Sequence, residues 1–321
     1  MSGELKEHRL RVQVATWEAE GIHSYELRDP DGGTLPPFTA GAHVDLHLLN
    51  GMVRSYSLVN PQGDDRRYVI AVQRDRQSRG GSNWVHDRLK IGDTIPVSGP
   101  RNNFPLAEEA PNSLFIAGGI GVTPLWCMIQ RLAALARPFT LHYCVRTRKE
   151  AAFREALQAV SSPGANILFN FDGEPGGKML DIPAVVAGAA PDTHLYCCGP
   201  LPMLGAFEEA TKDLPRERVH VEYFTAKEAP AAEGGFTVVL AKSGKSFVIA
   251  PGKTILETLN DAGMDVPCSC LEGVCGTCET RVLEGTPDHR DVVLTEAERK
   301  ASKTMMICCS GAKTEKLVLD L

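Results

Sequence analysis

Cysteine is the residue type in this sequence with the clearest capacity for chemistry. The 321-residue chain has ten cysteines, and its C-terminal part holds Cys270, Cys275 and Cys278 at the spacing C-x4-C-x2-C. Two adjacent cysteines, Cys308 and Cys309, follow much later in the chain. Three closely spaced thiolates and one distant thiolate are the ligand set of plant-type [2Fe–2S] clusters. We therefore predict an iron–sulfur cluster in this part of the protein.

The loop between the first three cysteines has a composition that suits such a cluster. Gly273 and Gly276 allow the backbone to wrap closely and to turn N–H groups toward the sulfurs. Zinc is the main alternative, but structural zinc sites usually pair two short Cys-x2–4-Cys motifs, and the adjacent pair Cys308 and Cys309 is not such a motif. Buried inert cysteines are the other alternative. We expect only one cysteine of the pair to face the metal, because neighbours on a strand point to opposite faces.

The motif Arg54-Ser55-Tyr56-Ser57-Leu58 has the residue types that hold an aromatic, anionic cofactor. Arg54 suits a phosphate, Tyr56 a ring face, and Ser57 the edge of a flavin. The later stretch Arg79-Gly80-Gly81-Ser82 precedes a predicted helix, and its N–H groups suit a second phosphate contact. The alternatives are an ordinary surface strand and an ordinary glycine turn.

A glycine-rich stretch, Gly118-Gly119-Ile120-Gly121-Val122-Thr123-Pro124, lies between a predicted strand and a predicted helix. It differs from the dinucleotide-binding G-x-G-x-x-G because Pro124 takes the place of the third glycine. We predict that Thr123 is the N-cap of the helix, with Pro124 at its first position. Such a turn suits a pyrophosphate, and a tight turn without a ligand is the alternative. Cys198-Gly199-Pro200 ends another predicted strand where a second helix begins.

Two further groups of polar residues remain open to interpretation. Arg146, Arg148 and Lys149 follow the second predicted strand of the same region, where a basic cluster would suit a 2′-phosphate. Solvated arginines are the alternative. His289 has acidic neighbours, and we expect a solvated loop histidine rather than a proton carrier.

The four motifs together resemble the phthalate dioxygenase reductase family, the reductase components of Rieske oxygenases. R-S-Y-S-L, G-G-I-G-V-T-P, C-C-G-P and the C-terminal C-x4-C-x2-C occur in the family's order across the whole chain. The resemblance implies electron transfer from NADH through FMN and a [2Fe–2S] cluster to a separate Rieske-type oxygenase. NADPH remains possible. A stand-alone reductase of a small acceptor, such as a ferric or quinone reductase, and a non-catalytic electron carrier are the other possibilities.

The resemblance also implies roles for individual residues. Where relatives often carry Lys, this chain has Gln73. The implied flavin contacts are Arg54, Tyr56, Ser57, Ala71, Val72, Gln73, Gly80, Gly81 and Ser82. The implied nucleotide contacts are Gly118, Gly119, Thr123, Arg146, Cys198, Gly199 and Pro200. Cys198, Phe224 and Ser57 are the implied catalytic residues near the reacting rings, and the implied cluster ligands are Cys270, Cys275, Cys278 and Cys308.

The elements that must position these residues fall into three regions. Short alternating segments such as residues 44–48, 68–73 and 94–97, with one helix near residues 83–90, indicate an antiparallel barrel or sandwich. Strands and helices then alternate from residue 113 to residue 213, which predicts a doubly wound parallel α/β sheet. Residues 225–235, rich in Ala, Pro and Gly, predict a linker to a small α+β unit, which the resemblance identifies as a β-grasp ferredoxin domain. We expect an FMN-binding barrel over 1–105, an NAD-binding domain over 106–226 and a [2Fe–2S] domain over 235–321.

The overall composition limits the function classes. Apolar residues are 43%, charged residues are 23% and the net charge is −6, so the chain is globular and has no basic surface for nucleic acid. Residues 114–129 form the longest uncharged apolar stretch, which is too short for a membrane span. No secretory signal is evident at the N-terminus. No Cys-x-His pair occurs, so we expect no Rieske centre in this chain and a cytoplasmic monomer that delivers electrons to a partner.

Overall fold

The computed structural model describes residues 7–75, 80–264 and 266–321. The chain divides into two compact units, Met1–Glu222 and Tyr223–Leu321. Arg79, part of the second predicted phosphate motif, lies outside the described residues.

The first region is a closed antiparallel barrel, as the alternating pattern predicts. Its strands are β1 (Glu7–Ala19), β2 (Ile22–Arg28), β3 (His43–His47), β4 (Val53–Ser57), β5 (Tyr68–Gln73) and β6 (Thr94–Arg101), with helix α1 (Gly81–Arg88) between β5 and β6. They lie in the order β4-β3-β6-β1-β2-β5. A bridge between Leu58 and Ile70 joins the two ends of this order, and the N–H of Val59 donates to the carbonyl of Val69 at 2.8 Å. The bridge therefore sets the end of β4 beside β5.

The middle region is a five-stranded parallel sheet, again as predicted. Its strands are β7 (Asn112–Gly118), β8 (Phe139–Val145), β9 (Ala165–Phe171), β10 (Thr193–Cys198) and β11 (Val219–Glu222), and its helices are α2 (Val122–Ala134), α3 (Arg154–Gln158), α4 (Ile182–Ala187) and α5 (Leu201–Thr211). The order is β11-β10-β7-β8-β9, so the chain leaves β7 toward β8 on one side and toward β10 on the other. Such a switch point opens a crevice at the carboxyl ends of the strands, where ligands bind in this class of fold.

The start of α2 differs from the sequence-based prediction. The helix begins at Val122 with Gly121 before it, because residues 119–121 already form a turn of 3₁₀ helix. Thr123 is therefore inside the helix and is not its N-cap. Its hydroxyl donates to the carbonyl of Ile120 at 2.9 Å instead.

The C-terminal unit is a mixed sheet with a helix, which agrees with a ferredoxin fold. Its elements are β12 (Phe236–Leu240), β13 (Ser246–Ile249), α6 (Ile255–Asp261), β14 (Glu279–Glu284), β15 (Pro287–Asp288), α7 (Glu296–Ala301), β16 (Thr304–Met306), β17 (Gly311–Ala312) and β18 (Lys316–Leu319). The five longer strands lie in the order β13-β12-β18-β14-β16, with β12 and β18 parallel. Apolar residues at alternate positions, such as Val238, Leu240, Leu317 and Leu319, bury the inner face of the sheet.

Part of the predicted linker, residues 225–235, is hydrogen-bonded to the rest of the C-terminal unit. The N–H of Ala231 donates to the carbonyl of Cys309, and the carbonyl of Ala232 accepts from Gly252, both at 2.8 Å. Among the described residues, none of the helices has the length and the apolar composition needed to cross a membrane.

Candidate functional site

Four buried cysteines converge in the C-terminal unit. Cys270, Cys275, Cys278 and Cys308 are all almost inaccessible to solvent. The side chains of Cys275 and Cys308 both hydrogen-bond to the sulfur of Cys270, and these bonds lower the pKa of the Cys270 thiol. Cys308 also hydrogen-bonds to Cys278 and lowers the pKa of that thiol. The structure therefore brings together the four cysteines that the family resemblance selects.

The backbone of the loop supplies further polar contacts to the sulfurs. The N–H groups of Glu272 and Val274 both lie 3.4 Å from the sulfur of Cys270, and the Thr277 hydroxyl lies 3.2 Å from that of Cys275. Gly273 has a φ of +69°, and a Cβ at this position would lie 2.4 Å from the Cys309 sulfur. Buried thiols that receive backbone N–H groups fit a [2Fe–2S] cluster, whose sulfurs carry negative charge.

Cys309 occupies a different place from the four convergent cysteines. The strand that precedes it, β16, ends at Met306, so Cys308 and Cys309 lie in a turn. The expectation that these two residues alternate on a strand is therefore wrong. The Cys309 thiol lies against that of Cys308, packs on the backbone of Gly273 and donates a weak hydrogen bond to the Met306 carbonyl at 3.7 Å.

His289 is not the solvated loop residue that the sequence indicates. Its side chain is only 7% exposed, and Nδ1 lies 3.7 Å from Oδ1 of Asp291. Burial lowers the pKa of the imidazole, although Asp291 acts in the opposite direction. His289 is therefore buried and uncharged at neutral pH, with the Asp291 carboxylate beside it.

The two predicted phosphate motifs of the barrel meet at the start of α1. The Arg54 side chain lies across Gly81, because a Cβ on Gly81 would lie 2.5 Å from Arg54 Nε. Nη1 of Arg54 donates to the carbonyl of Val53 at 2.8 Å. Gly80, with a φ of +100°, precedes the helix, and the hydroxyl of Ser82 accepts from the N–H of Asp75 at 3.2 Å. A guanidinium beside the first N–H groups of a helix is a suitable site for a phosphate.

The predicted ring contacts lie on the neighbouring strands. Tyr56 is partly buried and Ser57 is buried at the end of β4, and Ala71 and Val72 are buried in β5. Desolvation raises the pKa of the Tyr56 hydroxyl. The bridge between Leu58 and Ile70 sets these two stretches side by side. Gln73 is exposed at the end of β5.

The glycine-rich turn and the Cys-Gly-Pro motif pack directly against each other. A Cβ on Gly118 would lie 2.6 Å from Pro200 Cδ, and a Cβ on Gly121 would lie 2.2 Å from the Cys198 carbonyl oxygen. Gly119 has a φ of +55°, and a Cβ there would contact nothing within 4 Å. The structure therefore brings the two motifs together at the carboxyl ends of β7 and β10, with open space above Gly119.

A residue that the sequence reading missed, Glu222, belongs to the same edge of the sheet. Cys198 and Glu222 end β10 and β11 and are directly paired in register. The Cys198 sulfur lies 4.0 Å from Oε2 of Glu222. Burial raises the pKa of the Glu222 carboxyl to about 8 and also raises that of the Cys198 thiol. No sequence motif marks Glu222, because its proximity to Cys198 arises only from the pairing of β10 with β11.

The basic cluster after β8 is only partly available to a ligand. Arg148 pairs with Glu174 at 2.6 Å and lies over the Phe171 ring at 4.8 Å from its centroid. Arg146 is exposed. Phe224 belongs to the C-terminal unit and is 38% exposed there.

Known proteins share these domains in the same order. The oxidoreductase NAD-binding domain matches residues 115–209, and the 2Fe-2S iron-sulfur cluster binding domain matches residues 238–313. The chain is 53% identical over 312 residues to phenoxybenzoate dioxygenase subunit beta of Ectopseudomonas oleovorans and 51% identical over 315 residues to tetrachlorobenzoquinone reductase of Sphingobium chlorophenolicum. Each of these alignments covers 97% of both proteins. The solved structure of phthalate dioxygenase reductase matches with a TM-score of 0.75 and 40% identity, over 98% of each chain.

The chain belongs to the phthalate dioxygenase reductase family. It is an NAD(P)H-dependent oxidoreductase with a flavin domain, an NAD-binding domain and a 2Fe–2S ferredoxin domain. When bound, the flavin would accept the two electrons of NAD(P)H and the cluster would carry single electrons, and the residues described above would hold both groups. The glycine-rich and Cys-Gly-Pro motifs lie at strand ends and the cysteine motif lies in a loop, whereas Arg54 to Ser57 lie within β4.

Proposed function

We propose that this protein is the reductase component of a two-component Rieske-type oxygenase that acts on an aromatic substrate. The observation that carries the proposal is the full set of motifs in a chain that is 53% identical, over its length, to a phenoxybenzoate dioxygenase subunit. The acceptor is a separate protein because the sequence has no Cys-x-His pair for a Rieske centre. We expect a cytoplasmic monomer that binds neither nucleic acid nor membranes, with domains over 1–105, 106–226 and 235–321.

We propose FMN as the flavin. The phosphate of FMN would lie between Arg54 and the helix start at Gly80, Gly81 and Ser82. Its ring would lie along Tyr56 and Ser57 on one strand and the stretch from Ala71 to Gln73 on the other. Release of the flavin from purified protein, followed by chromatography against FMN and FAD standards, tests this assignment.

We propose NADH as the preferred nucleotide. Its pyrophosphate would lie over Gly118 and Gly119, next to the start of α2 at Thr123, and its nicotinamide near the Cys198-Gly199-Pro200 turn. Because Arg148 is engaged by Glu174 and Phe171, Arg146 is the remaining candidate of the two arginines for a 2′-phosphate. We expect kcat/KM to be higher with NADH, and a higher kcat/KM with NADPH would reverse the assignment.

The test of the main proposal is oxygenase-dependent turnover. The purified reductase, NADH and candidate aromatic-ring oxygenases are combined, and the hydroxylated or demethylated product is measured. We expect product only when both components are present, and none with the Cys308→Ala variant, which lacks one proposed cluster ligand. Product formation that is equal in the variant would show that the cluster is not on the route to the oxygenase.

A second candidate function is direct reduction of a quinone, favoured by 51% identity to a tetrachlorobenzoquinone reductase. A quinone accepts two electrons and can take them from a reduced flavin, so this activity does not need the cluster. Cys308→Ala should therefore retain NADH-driven quinone reduction while losing oxygenase support. Rapid quinone turnover in wild type and variant, with no product from any oxygenase, would favour this second function.

A further inference from the structure

Asp291 and Val292, which follow β15, contact the cysteine loop at Gly273. The N–H of Val292 donates to the carbonyl of Gly273 at 3.0 Å. A Cβ on Gly273 would lie 3.0 Å from Cα and 3.1 Å from Cβ of Asp291. Gly273 lies between Cys270 and Cys275, so Asp291 packs directly behind the loop that carries three of the four proposed ligands.

The Asp291 carboxylate is fully buried, and its hydrogen bonds hold the segment in place. Its side chain is 0% exposed. Oδ2 accepts from the N–H groups of Val293 at 3.1 Å and Leu294 at 2.8 Å. These two bonds form a turn that directs the N–H of Val292 at Gly273. In the described part of the chain, Oδ1 has no hydrogen-bond partner, and the nearest basic group to it is Nδ1 of His289 at 3.7 Å.

The charge on Asp291 is only partly compensated. Nη2 of Arg299, from α7, lies 3.9 Å from Oδ2 and also donates to the Asp291 main-chain carbonyl. The Arg299 side chain is 35% exposed, so water weakens this ion pair. Lys313 is a more distant cation, and its charge, with that of Arg299, helps to lower the pKa of His289, which is depressed mainly by burial. A neutral His289 adds no positive charge beside the carboxylate.

We propose that Asp291 is a positioning residue for the [2Fe–2S] cluster, which holds the ligand loop at Gly273 and lowers the cluster's reduction potential through its buried charge. A fixed negative charge beside a redox centre opposes the arrival of an electron, and more strongly so where water is excluded. Arg299 acts in the opposite direction. The proposal rests on the cluster that the proposed function requires, and it is independent of the identity of the acceptor.

The charge is tested by redox titration of the holoprotein, with the flavin in the same sample as an internal reference. Asp291→Asn keeps an oxygen that accepts the two N–H groups and removes the charge, so the cluster potential should shift upward with full iron and sulfide content. Arg299→Gln keeps a donor and removes the opposing charge, so the potential should shift downward. Asp288→Asn is the matched control, since its carboxylate is partly exposed and pairs with Arg290 at 2.7 Å, and it should shift the potential least.

The cluster potential should shift in opposite directions in Asp291→Asn and Arg299→Gln. A general loosening of the structure would not produce opposite shifts in the two variants. Equal potentials in wild type and Asp291→Asn, or shifts of the same sign in the two variants, would overturn the proposal. The holding role is tested by iron release to a chelator, which should be faster in Asp291→Ala than in Asp291→Asn. Equal release rates would contradict that role. Absence of a cluster from the wild-type protein would refute the proposed function itself, and the two failures are therefore distinguishable.

Discussion

The sulfur of Cys198 lies 4.0 Å from Oε2 of Glu222, across two parallel strands that end in register. Burial raises the pKa of both side chains. At neutral pH the pair is therefore mostly protonated and uncharged. Glu222 alone reaches its charged form within an ordinary working range, since its pKa is about 8. The carboxyl of Glu222 is thus the group at this strand edge that responds to pH.

The rate of flavin reduction by NADH should depend on the charge of Glu222. A carboxylate near the nicotinamide would stabilise the positive charge that develops as hydride leaves, so the rate should rise between pH 7 and pH 9. Glu222→Gln should stay at the low-pH rate, and the difference at pH 9 should be on the order of tenfold, which corresponds to about 1.4 kcal/mol. Stopped-flow absorbance of the flavin measures this rate. An unchanged pH profile in Glu222→Gln would exclude the carboxyl from hydride transfer.

The same carboxyl should make the protein less stable as pH rises. The folded-state pKa of Glu222 is about 8, above the ordinary value of 4.5. Between these values the unfolded chain releases the proton while the folded protein keeps it, so the free energy of unfolding falls as pH rises from about 5 to about 8. Thermal unfolding at several pH values should show a steeper fall in Tm for wild type than for Glu222→Gln. Parallel curves would contradict the raised pKa.

Gly81→Ala should stabilise helix α1 and weaken flavin binding. Alanine favours the helix by about 0.5–1 kcal/mol over glycine, but its Cβ would displace the Arg54 side chain. We expect a folded barrel with weaker flavin retention, measured as flavin fluorescence released on dilution. Gly205→Ala is the matched control, because a Cβ at this position in α5 meets nothing within 4 Å. Full flavin retention in Gly81→Ala would argue against a phosphate at this helix start.

Gly119→Asn should weaken nucleotide binding without disturbing the fold. Asparagine tolerates the positive φ, and its side chain would occupy the open space where the pyrophosphate is expected. We expect KM for NADH to rise roughly tenfold, equivalent to about 1.4 kcal/mol. Gly244→Asn, at a φ of +68° in the β12–β13 turn, is a control of the same type and should leave KM unchanged. Unchanged KM in both variants would place the nucleotide elsewhere.

Replacement of Cys308 and Cys309 should have different outcomes. Cys308→Ala removes a thiol that hydrogen-bonds to Cys270 and Cys278, so the iron content and the [2Fe–2S] absorbance should be lost. Cys309→Ala removes a thiol packed on Gly273, so the cluster should assemble in a looser loop and lose iron faster on heating. Iron analysis and visible absorbance measure both. A cluster that survives in Cys308→Ala but not in Cys309→Ala would show that Cys309, and not Cys308, is the fourth ligand.

The parts of the fold with a strict period were predictable from the sequence. Alternation in β3 and β5 predicts strands within a residue or two of those observed, and the parallel sheet follows from alternating apolar runs and helices. The convergence of Cys270, Cys275 and Cys278 was also predictable, because they are spaced along one loop, whereas the choice of Cys308 over Cys309 came from the family resemblance. These features depend on the spacing of residues that are close together along the chain, and this spacing can be read directly from the sequence.

Features that depend on distant contacts were not predictable. Glu222 has no motif, and its role as a neighbour of Cys198 arises only when β10 and β11 pair. His289 is buried by its packing in the C-terminal unit, although its neighbours along the chain are charged. The start of α2 moved to Val122 because the glycine turn is itself helical, which the residue preferences of Thr123 and Pro124 do not reveal.

The contact between Gly121 and the Cys198 carbonyl also bears on how related sequences diverge. A descendant that lost its coenzyme would still need Gly118 and Gly121, because the ends of β7 and β10 meet there without space for a side chain. Gly119, which faces open space, would be free to drift to other residues that accept a left-handed backbone. Gly118 and Gly121 would therefore persist for packing, and, with the pyrophosphate over Gly119 as proposed, loss of Gly119 would mark a chain that no longer binds a nucleotide.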